Sequence, residues 1–230
     1  MTTFATDPHT LSDEVAAALL LDAPWRRFAV IGDSMAAGVG DDVPGYPSGG
    51  WAATVARVLT LVHPDLAYLN LGERDRYAAE VREQQLPRAL SFRPDLAVVL
   101  AGGNDLLRRR FDPDPLATEL DAMVGALRDQ GCDVVTYGLL DITRSDLMPA
   151  EYTGPLQERL RRYGDVAAGV AARRGAVHIV MTNHPAGAER STYSADLLHA
   201  SARGHAVIAA VTIRRLAELA TLRTADVTVR

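Results

Sequence analysis

The chain first becomes strongly apolar at Phe28-Ala29-Val30-Ile31-Gly32-Asp33-Ser34, a run that ends abruptly in Gly-Asp-Ser. Four further short apolar runs follow, at residues 67–71, 96–101, 134–139 and 176–180. All five runs are continuous rather than alternating in polarity, which is typical of strands that are covered on both faces. The first run, over residues 28–31, therefore predicts the opening strand of a buried sheet.

Helical patterns separate these apolar runs, and they cover residues 51–62, 78–90, 114–130, 155–174 and 202–222. Strands that alternate with helices are joined by right-handed crossovers and build a parallel sheet between two helix layers. We therefore expect an α/β fold, a three-layer α/β/α sandwich with a five-stranded parallel sheet. Ligands gather beyond the carboxyl ends of such strands. Ser34, residues 72–76 and Asn104 all follow strand ends and are expected to converge there.

The whole chain is typical of a globular protein with one large domain over residues 1–230. It has 48% hydrophobic and 23% charged residues, and no linker divides it. Residues 1–25 are expected to form a helical N-terminal extension, because the apolar residues 16–21 are flanked by acidic residues and do not resemble a secretory signal. We expect a cytoplasmic protein. The net charge of -5 argues against nucleic-acid or membrane binding.

A nucleophile, a base and an acid stand far apart in the sequence. Ser34 is followed late in the chain by Asp196-Leu197-Leu198-His199, in which the acid and the base are three residues apart. A serine hydroxyl needs a base to attack at neutral pH, and the imidazole needs a carboxylate to fix its tautomer. Ser34 could also simply cap a helix, but together with Asp196 and His199 it favours nucleophilic acyl chemistry.

Three short blocks show a family resemblance. They read Gly32-Asp33-Ser34-Met35-Ala36-Ala37-Gly38, Gly102-Gly103-Asn104-Asp105 and Asp196-Leu197-Leu198-His199, in this order. At these positions the chain resembles the SGNH hydrolases, also called the GDSL family of esterases and lipases. The blocks span nearly the whole chain and fall at predicted strand ends. The resemblance implies a flavodoxin-like fold.

The resemblance also implies roles for individual residues. Ser34 would be the nucleophile, His199 the base and then the acid, and Asp196 the carboxylate that orients His199. The oxyanion hole of this family combines the amide of the serine, a glycine amide from the second block and the asparagine side chain of the third block. In this chain, Ser34 and Asn104 match the first and the last of these donors.

The second block departs from the family pattern. It reads Asn70-Leu71-Gly72-Glu73-Arg74-Asp75-Arg76, so Asp75 stands where glycine is usual. Asp keeps a backbone N–H and tolerates a positive φ better than most residues. Its carboxylate, at roughly 5 Å from a developing oxyanion, would destabilise that oxyanion by about 3 kcal/mol at an effective dielectric constant of about 20. Arg74 or Arg76 could neutralise Asp75, and Gly72 could replace it if the loop is rearranged.

Several polar residues are candidates for substrate contacts. Arg74 and Arg76 flank the second block, Arg108 follows the third, and His184 precedes Pro185 in a loop. Runs of basic residues are usually solvated, so a positive collar for an anionic substrate is the less favoured interpretation. The loop 45–51 could form one wall of an acyl pocket, or Trp51 could pack against the next helix.

No cofactor is implied, and no histidine has a metal-binding spacing, so we predict no metal. The favoured function is a serine esterase that acts on a small-molecule ester or thioester, free or bound to a carrier, through an acyl-enzyme. A biosynthetic acyltransferase, or an elimination catalyst that uses Asp75, would explain the altered second block. A binding protein that has lost catalysis is the third hypothesis. The sequence identifies neither the substrate nor the oligomeric state.

Overall fold

Five parallel strands form one sheet in the computed structural model, which describes residues 4–228 and the side chains of residues 4–223. The strands are β1 (Arg27–Gly32), β2 (Ala67–Asn70), β3 (Leu96–Leu100), β4 (Asp133–Tyr137) and β5 (Val177–Ile179). Their spatial order is β2-β1-β3-β4-β5, with every neighbouring pair parallel. The predicted flavodoxin-like sheet is therefore confirmed.

Nine α-helices connect or flank the strands within the described residues. They are α1 (Asp13–Leu19), α2 (Ser34–Ala37), α3 (Gly50–Val62), α4 (Ala78–Gln84), α5 (Leu86–Phe92), α6 (Gly103–Leu106), α7 (Pro113–Asp129), α8 (Ala150–Arg174) and α9 (Ala202–Thr228). None of the described helices is both long and apolar enough to cross a lipid bilayer.

Alternate residues of each central strand enter two different cores. Phe28 and Val30 of β1 pack with α1, α3 and α9 on one face of the sheet. Ile31 lies in the second core, against α4, α5, α7 and α8. The apolar runs are continuous because both faces of the sheet are buried. This arrangement gives the three layers of the predicted sandwich.

Two predicted helices have different bounds in the structure. The helix expected over residues 78–90 is divided into α4 and α5 at Gln85, two residues before Pro87, because proline has no N–H to continue the backbone ladder. The helix expected to begin at Pro155 begins at Ala150 instead. Pro155 leaves only one carbonyl near the helix start without its usual partner, that of Glu151, and this residue is exposed to solvent.

The N-terminal extension packs onto the main body through a short helix and a buried ion pair. Ser12 caps α1 by accepting a hydrogen bond from the amide of Val15. Before this helix, Asp7 is fully buried and lies 2.6 Å from Nε of Arg203 on α9, which is itself only 7% exposed. The hydroxyl of Tyr46 also donates to Asp7, at 2.8 Å. The extension thereby contacts both α9 and the loop that follows α2.

Candidate active site

A sharp turn between β1 and α2 presents Ser34 at the carboxyl edge of the sheet. Gly32 has a φ of 153°, and a Cβ atom there would lie 1.9 Å from the carbonyl oxygen of Leu100, so only glycine fits. Asp33 caps α2 by accepting a hydrogen bond from the amide of Met35 at 3.0 Å. Ser34 is consequently the first helical residue, directly beyond the strand end.

Ser34, His199 and Asp196 form a continuous hydrogen-bonded relay. The hydroxyl oxygen of Ser34 lies 2.9 Å from Nε2 of His199. The other ring nitrogen, Nδ1, lies 2.7 Å from Oδ2 of Asp196. The side chain of His199 is 6% exposed, whereas that of Asp196 is 48% exposed. A hydroxyl, an imidazole and a carboxylate in this order can move a proton from the serine to the histidine.

The turn from Asp196 to His199 holds the carboxylate in place. Its Oδ1 accepts hydrogen bonds from the amides of Leu198 and His199, both at 3.0 Å. Partial burial raises the pKa of Asp196, but the hydrogen bonds from the His199 ring and from these two amides outweigh it and lower the pKa to about 2. Asp196 therefore remains ionised throughout the neutral range and can stabilise a protonated imidazole.

Asp33 links the turn at Ser34 to the third block. Its Oδ2 accepts a hydrogen bond from the amide of Gly103 at 3.1 Å, while its Oδ1 bonds to Met35. Burial raises the pKa of Asp33 to about 6, and the nearby Asp105 adds to this effect, although the two amide hydrogen bonds oppose it. Asp33 thus holds two loops together.

Two hydrogen bonds join the second and third blocks. The side-chain nitrogen of Asn104 donates to the carbonyl of Arg76 at 2.9 Å. One residue later, a carboxylate oxygen of Asp105 accepts from the amide of Ala78 at 2.8 Å. Asn104 donates only one of its two amide hydrogens in this contact, and it shares a cavity wall with Ser34. The other hydrogen remains for a ligand in the cavity.

Asp75 adopts the left-handed backbone conformation of the glycine that is usual at its position in the family. Its φ is 62°, within the left-handed region that glycine usually occupies, and its side chain is exposed. Asp75 is not part of the cavity wall. Neither its amide nor that of Ser34 hydrogen bonds to another described residue. Both N–H groups therefore lack a protein acceptor within the described part of the chain.

Gly72 is not a displaced donor. Its amide already donates to the side-chain oxygen of Asn70 at 2.9 Å, and the nitrogen of the same side chain donates to the carbonyl of Ala36. A Cβ atom on Gly72 would lie 2.4 Å from the backbone nitrogen of Ala37. Gly72 is required because the second block packs directly against α2. The alternative that Gly72 replaces Asp75 is therefore wrong.

The basic candidates lie outside the cavity wall. Arg76 pairs with Glu73 at 2.7 Å and with Glu80 at 3.5 Å, so it does not neutralise Asp75. Arg108 lies 3.9 Å above the ring of Tyr77. Arg74 is exposed.

His184 and Trp51 also lie away from the cavity. His184 packs edge-on against His9, at a ring distance of 5.2 Å, and accepts a hydrogen bond from the amide of Ala186. Trp51 is fully buried and donates to the carbonyl of Met35, so it packs in the core rather than in a pocket wall. The described residues contain no group of His, Cys, Asp or Glu side chains arranged to hold a metal ion.

A cavity of about 370 Å³ opens beside Ser34. One wall contains the polar groups Ser34, Asn104, Asp196 and His199. The remaining walls are mainly aliphatic, from the third block, the segment after β4 and the first half of α8. A carbonyl compound with an apolar substituent fits such a site, because the hydroxyl of Ser34 borders the apolar space.

Three polar residues that the sequence did not single out stabilise the loops of the site. Gln85 bonds to both the amide and the carbonyl of Gly32, at 2.8 and 3.0 Å. The guanidinium of Arg159 on α8 donates to the carbonyls of residues 106, 108 and 109 at the end of the third block. Asp41 contacts the loop before His199. The neighbouring sequence gives no indication of these roles, because each residue contacts a part of the chain that is distant in sequence.

Comparisons with known proteins agree with this architecture. The model of the GDSL-like lipase/acylhydrolase family matches residues 30–207. Among solved structures, TesA has a TM-score of 0.67 and 24% identity, over 83% of this chain and 97% of that chain.

Two further solved structures are similar. A lipase/acylhydrolase from Enterococcus faecalis has a TM-score of 0.65 and 21% identity, over 84% of this chain and 96% of that chain. Axe2, an acetylxylan esterase from Geobacillus stearothermophilus, has a TM-score of 0.66 and 20% identity, over 83% and 94% of the two chains. At these identities the structural likenesses concern the fold. A search of curated protein sequences finds no match.

Proposed function

Because the chain belongs to the GDSL-like lipase/acylhydrolase family, we propose that it is a serine esterase that cleaves a carboxylic ester or thioester through an acyl-enzyme. The observation that supports this function best is the relay from Ser34 through His199 to Asp196, with distances of 2.9 and 2.7 Å, at the edge of an apolar cavity. The substrate would be a small molecule or an acyl group bound to a carrier.

In the first half of the reaction, the oxygen of Ser34 attacks the carbonyl carbon of the substrate. Nε2 of His199 accepts the hydroxyl proton, and Asp196 stabilises the imidazolium that forms. The tetrahedral intermediate then collapses, and His199 returns the proton to the leaving alcohol or thiol. An ester bond now joins the acyl group to Ser34.

The oxyanion would face the amide of Ser34 and the free hydrogen of the Asn104 side chain. The amide of Asp75 is the third donor in this proposal, and its positive φ of 62° supports that assignment. The hydrogen bond from Asn104 to the carbonyl of Arg76 supports it further, since it fixes Asn104 to the residue after Asp75. Donors that are fixed before the reaction stabilise developing charge without reorganisation.

Deacylation repeats the same steps with water. His199 removes a proton from water, the hydroxide oxygen attacks the acyl-enzyme, and the proton returns to Ser34 as the acid leaves. If a specific alcohol or thiol replaced water, the product would be a transferred acyl group, and the same residues would perform an acyltransferase reaction. The exposed carboxylate of Asp75, which has no ion-pair partner among the described residues, is the observation that keeps this second function open.

A fluorophosphonate probe tests this proposal, because it phosphonylates only an activated serine. We expect one label for each chain, located on Ser34 by peptide mapping. Ser34→Ala should abolish labelling and His199→Ala should slow it strongly. Ser12→Ala, at the N-cap of α1, is the matched serine control and should label like the wild type. No labelling of the folded wild-type protein would contradict the proposal and favour a binding protein.

A further inference from the structure

We infer, on the basis of the proposed function, that residues 4–10 form an N-terminal strap that positions Ser34 and His199 relative to each other, and that Arg203 is the positioning residue through which the strap acts. The matched family model begins at residue 30, so the strap lies outside it. The strap contacts two loops, one that follows the proposed nucleophile and one that precedes the proposed base. It therefore joins the two ends of the proposed proton transfer.

The strap is attached to the loop 38–49, which follows the short helix that Ser34 begins. The ring of Phe4 packs edge-on against the ring of Tyr46 in this loop, with 6.5 Å between the ring centroids. The hydroxyl of Tyr46 donates a hydrogen bond to Oδ2 of Asp7 in the strap, at 2.8 Å. A displacement of the strap would therefore move the loop that leads away from the nucleophile.

Arg203, in the first turn of α9, joins the strap to the loop that precedes the base. Its Nε donates to Oδ2 of Asp7 at 2.6 Å, and its Nη2 lies 2.8 Å from the carboxylate of Glu189. Its Nη1 donates to the hydroxyls of Ser191 and Thr192, at 3.0 and 3.1 Å. Because the donors of a guanidinium are fixed in one plane, these four partners are held in a defined arrangement.

His9 gives the strap a second contact with the same loop. Its Nε2 lies 3.3 Å from Oε1 of Glu189, and its ring packs edge-on against that of His184. The amide of His9 also donates to Oδ1 of Asp7 at 3.0 Å. Glu189, which pairs with Arg203, thus also contacts the strap directly.

The loop that Arg203 holds is bonded to the backbone of His199. The amide of Ser201 donates to the carbonyl of Thr192, and the amide of Ser194 donates to the carbonyl of His199, both at 2.9 Å. A Cβ atom on Gly204 would lie 2.2 Å from the carbonyl oxygen of Thr192, so the start of α9 packs directly against this loop. A shift of Thr192 would therefore be transmitted to His199.

The proposed chemistry is sensitive to such a shift. The 2.9 Å between the hydroxyl oxygen of Ser34 and Nε2 of His199 lies within the range of about 2.6–3.2 Å that proton transfer requires. A misplacement of reacting groups by about 1 Å can cost about 10²-fold in rate, even when its cause lies far from the chemistry. The strap should consequently influence the rate of acylation rather than the binding of the substrate.

Asp7→Asn tests the inference, because it removes the charge that holds Arg203 while keeping the size of the side chain. We expect kcat for p-nitrophenyl butyrate to fall about tenfold and KM to stay within about twofold of the wild type. The rate constant of fluorophosphonate labelling should fall by the same factor as kcat. Turnover is expressed per labelled active site, so that a smaller fraction of folded protein does not lower it.

Asp133→Asn is the matched control. Asp133 is also a buried carboxylate, with 6% of its side chain exposed, and it accepts hydrogen bonds from Trp25 and Arg223 at 2.8 and 2.7 Å. It begins β4, at the edge of the sheet opposite to Ser34. We expect both variants to lower the melting temperature, but only Asp7→Asn to lower kcat per active site. Equal losses of kcat in the two variants would overturn the inference.

Tyr46→Phe interrupts the strap more gently and serves also if Asp7→Asn does not fold. It removes the hydrogen bond to Asp7 and keeps the ring that contacts Phe4, so kcat should fall about threefold. The double variant Tyr46→Phe/Asp7→Asn should be no slower than Asp7→Asn, because both substitutions break the same connection. Losses that multiply in the double variant would contradict a single strap.

These results distinguish the strap from the proposed function. Wild-type kcat and wild-type labelling rates in Asp7→Asn and Tyr46→Phe would overturn the inference and leave the esterase standing. Absence of both ester turnover and fluorophosphonate labelling in the wild-type protein would overturn both.

Discussion

The hydroxyl oxygen of Ser34 lies 2.9 Å from Nε2 of His199, although 165 positions separate the two residues. Ser34 belongs to the turn after the inner strand β1, and His199 to the loop before α9. Asp41 joins these two loops directly. Its amide donates to the hydroxyl of Ser194 at 2.8 Å, and its carboxylate accepts from the amide of Ala195 at 2.7 Å. The distance between the proposed nucleophile and the proposed base therefore depends on contacts outside the relay.

Asp41→Ala should consequently lower kcat by about five- to tenfold, the equivalent of one lost hydrogen bond of about 1 kcal/mol, with little change in KM. Asp41→Asn keeps an oxygen that can accept from Ala195 and should restore most of the rate. The measurement is steady-state hydrolysis of a p-nitrophenyl ester by both variants. Equal rates for the wild type and Asp41→Ala would show that this contact does not position His199.

Asp196→Asn should lower kcat by about 10³–10⁴-fold, because an amide can no longer hold the tautomer that accepts the proton of Ser34 or stabilise the imidazolium. The fold should persist, since the side chain is 48% exposed and the substitution is isosteric. Circular dichroism provides the control for folding. A loss of less than tenfold would mean that Asp196 is not the partner on which His199 depends.

Asp75→Asn should raise kcat/KM about fourfold. Asparagine tolerates the positive φ and keeps the backbone N–H, but it removes a charge that, in a water-like dielectric and at roughly 5 Å, opposes the oxyanion by about 0.8 kcal/mol. Because this effect is electrostatic, it should diminish as ionic strength increases. Asp75→Gly should also raise kcat/KM. If both variants lost activity on the physiological substrate, the carboxylate would take part in the chemistry, as an elimination catalyst requires.

Asp7→Ala should destabilise the protein by about 3 kcal/mol, because it leaves Arg203 buried without its closest carboxylate. Burial alone would raise the pKa of Asp7, but the hydrogen bonds from Arg203, the His9 amide and Tyr46 lower it overall. A depressed pKa means that the folded state binds fewer protons than the unfolded state. The contribution of Asp7 is therefore present above about pH 4 and is lost as the pH falls through the depressed value.

Urea unfolding of the wild type and of Asp7→Ala, each at pH 7 and at pH 3, measures how much Asp7 contributes to the free energy of unfolding at each pH. The matched control is Asp13→Ala, which removes the partially exposed ion pair between Asp13 and Arg57 and should cost less than about 1 kcal/mol. Equal losses in the two variants would contradict a special contribution from the buried pair of Asp7 and Arg203.

The sheet could be predicted from the sequence because its strands are buried on both faces. Continuous apolar runs such as 28–31 and 96–101 are uncommon outside such strands, and the glycines and prolines between them indicate the turns. The arrangement of Ser34 and Asn104 at one edge also followed, since polar residues after parallel strands share that edge, whereas His199 was singled out by its spacing from Asp196 and by the family resemblance. Helix ends were less certain, as Pro155 illustrates, because proline is compatible with several positions near a helix start.

The supporting contacts could not be predicted. Gln85 and Arg159 each contact residues 53 positions away, and Asp41 contacts a residue 154 positions away, so only the three-dimensional structure brings these partners near. The pairing of Arg76 with Glu73 and Glu80, rather than with Asp75, could not be predicted either, because it depends on how the second block turns. The empty cavity is not visible in the sequence either, since leucines that pack and leucines that surround a ligand look alike.

The most direct measurement is the hydrolysis of p-nitrophenyl acetate and butyrate by the purified protein, with Ser34→Ala measured in parallel. We predict sustained release of p-nitrophenol by the wild type and a loss of at least about 10³-fold in the variant. An initial burst that stalls would mean that Ser34 is acylated but that water is not its acceptor, which favours a transferase. Turnover that persists in Ser34→Ala would contradict the assignment of Ser34 as the nucleophile.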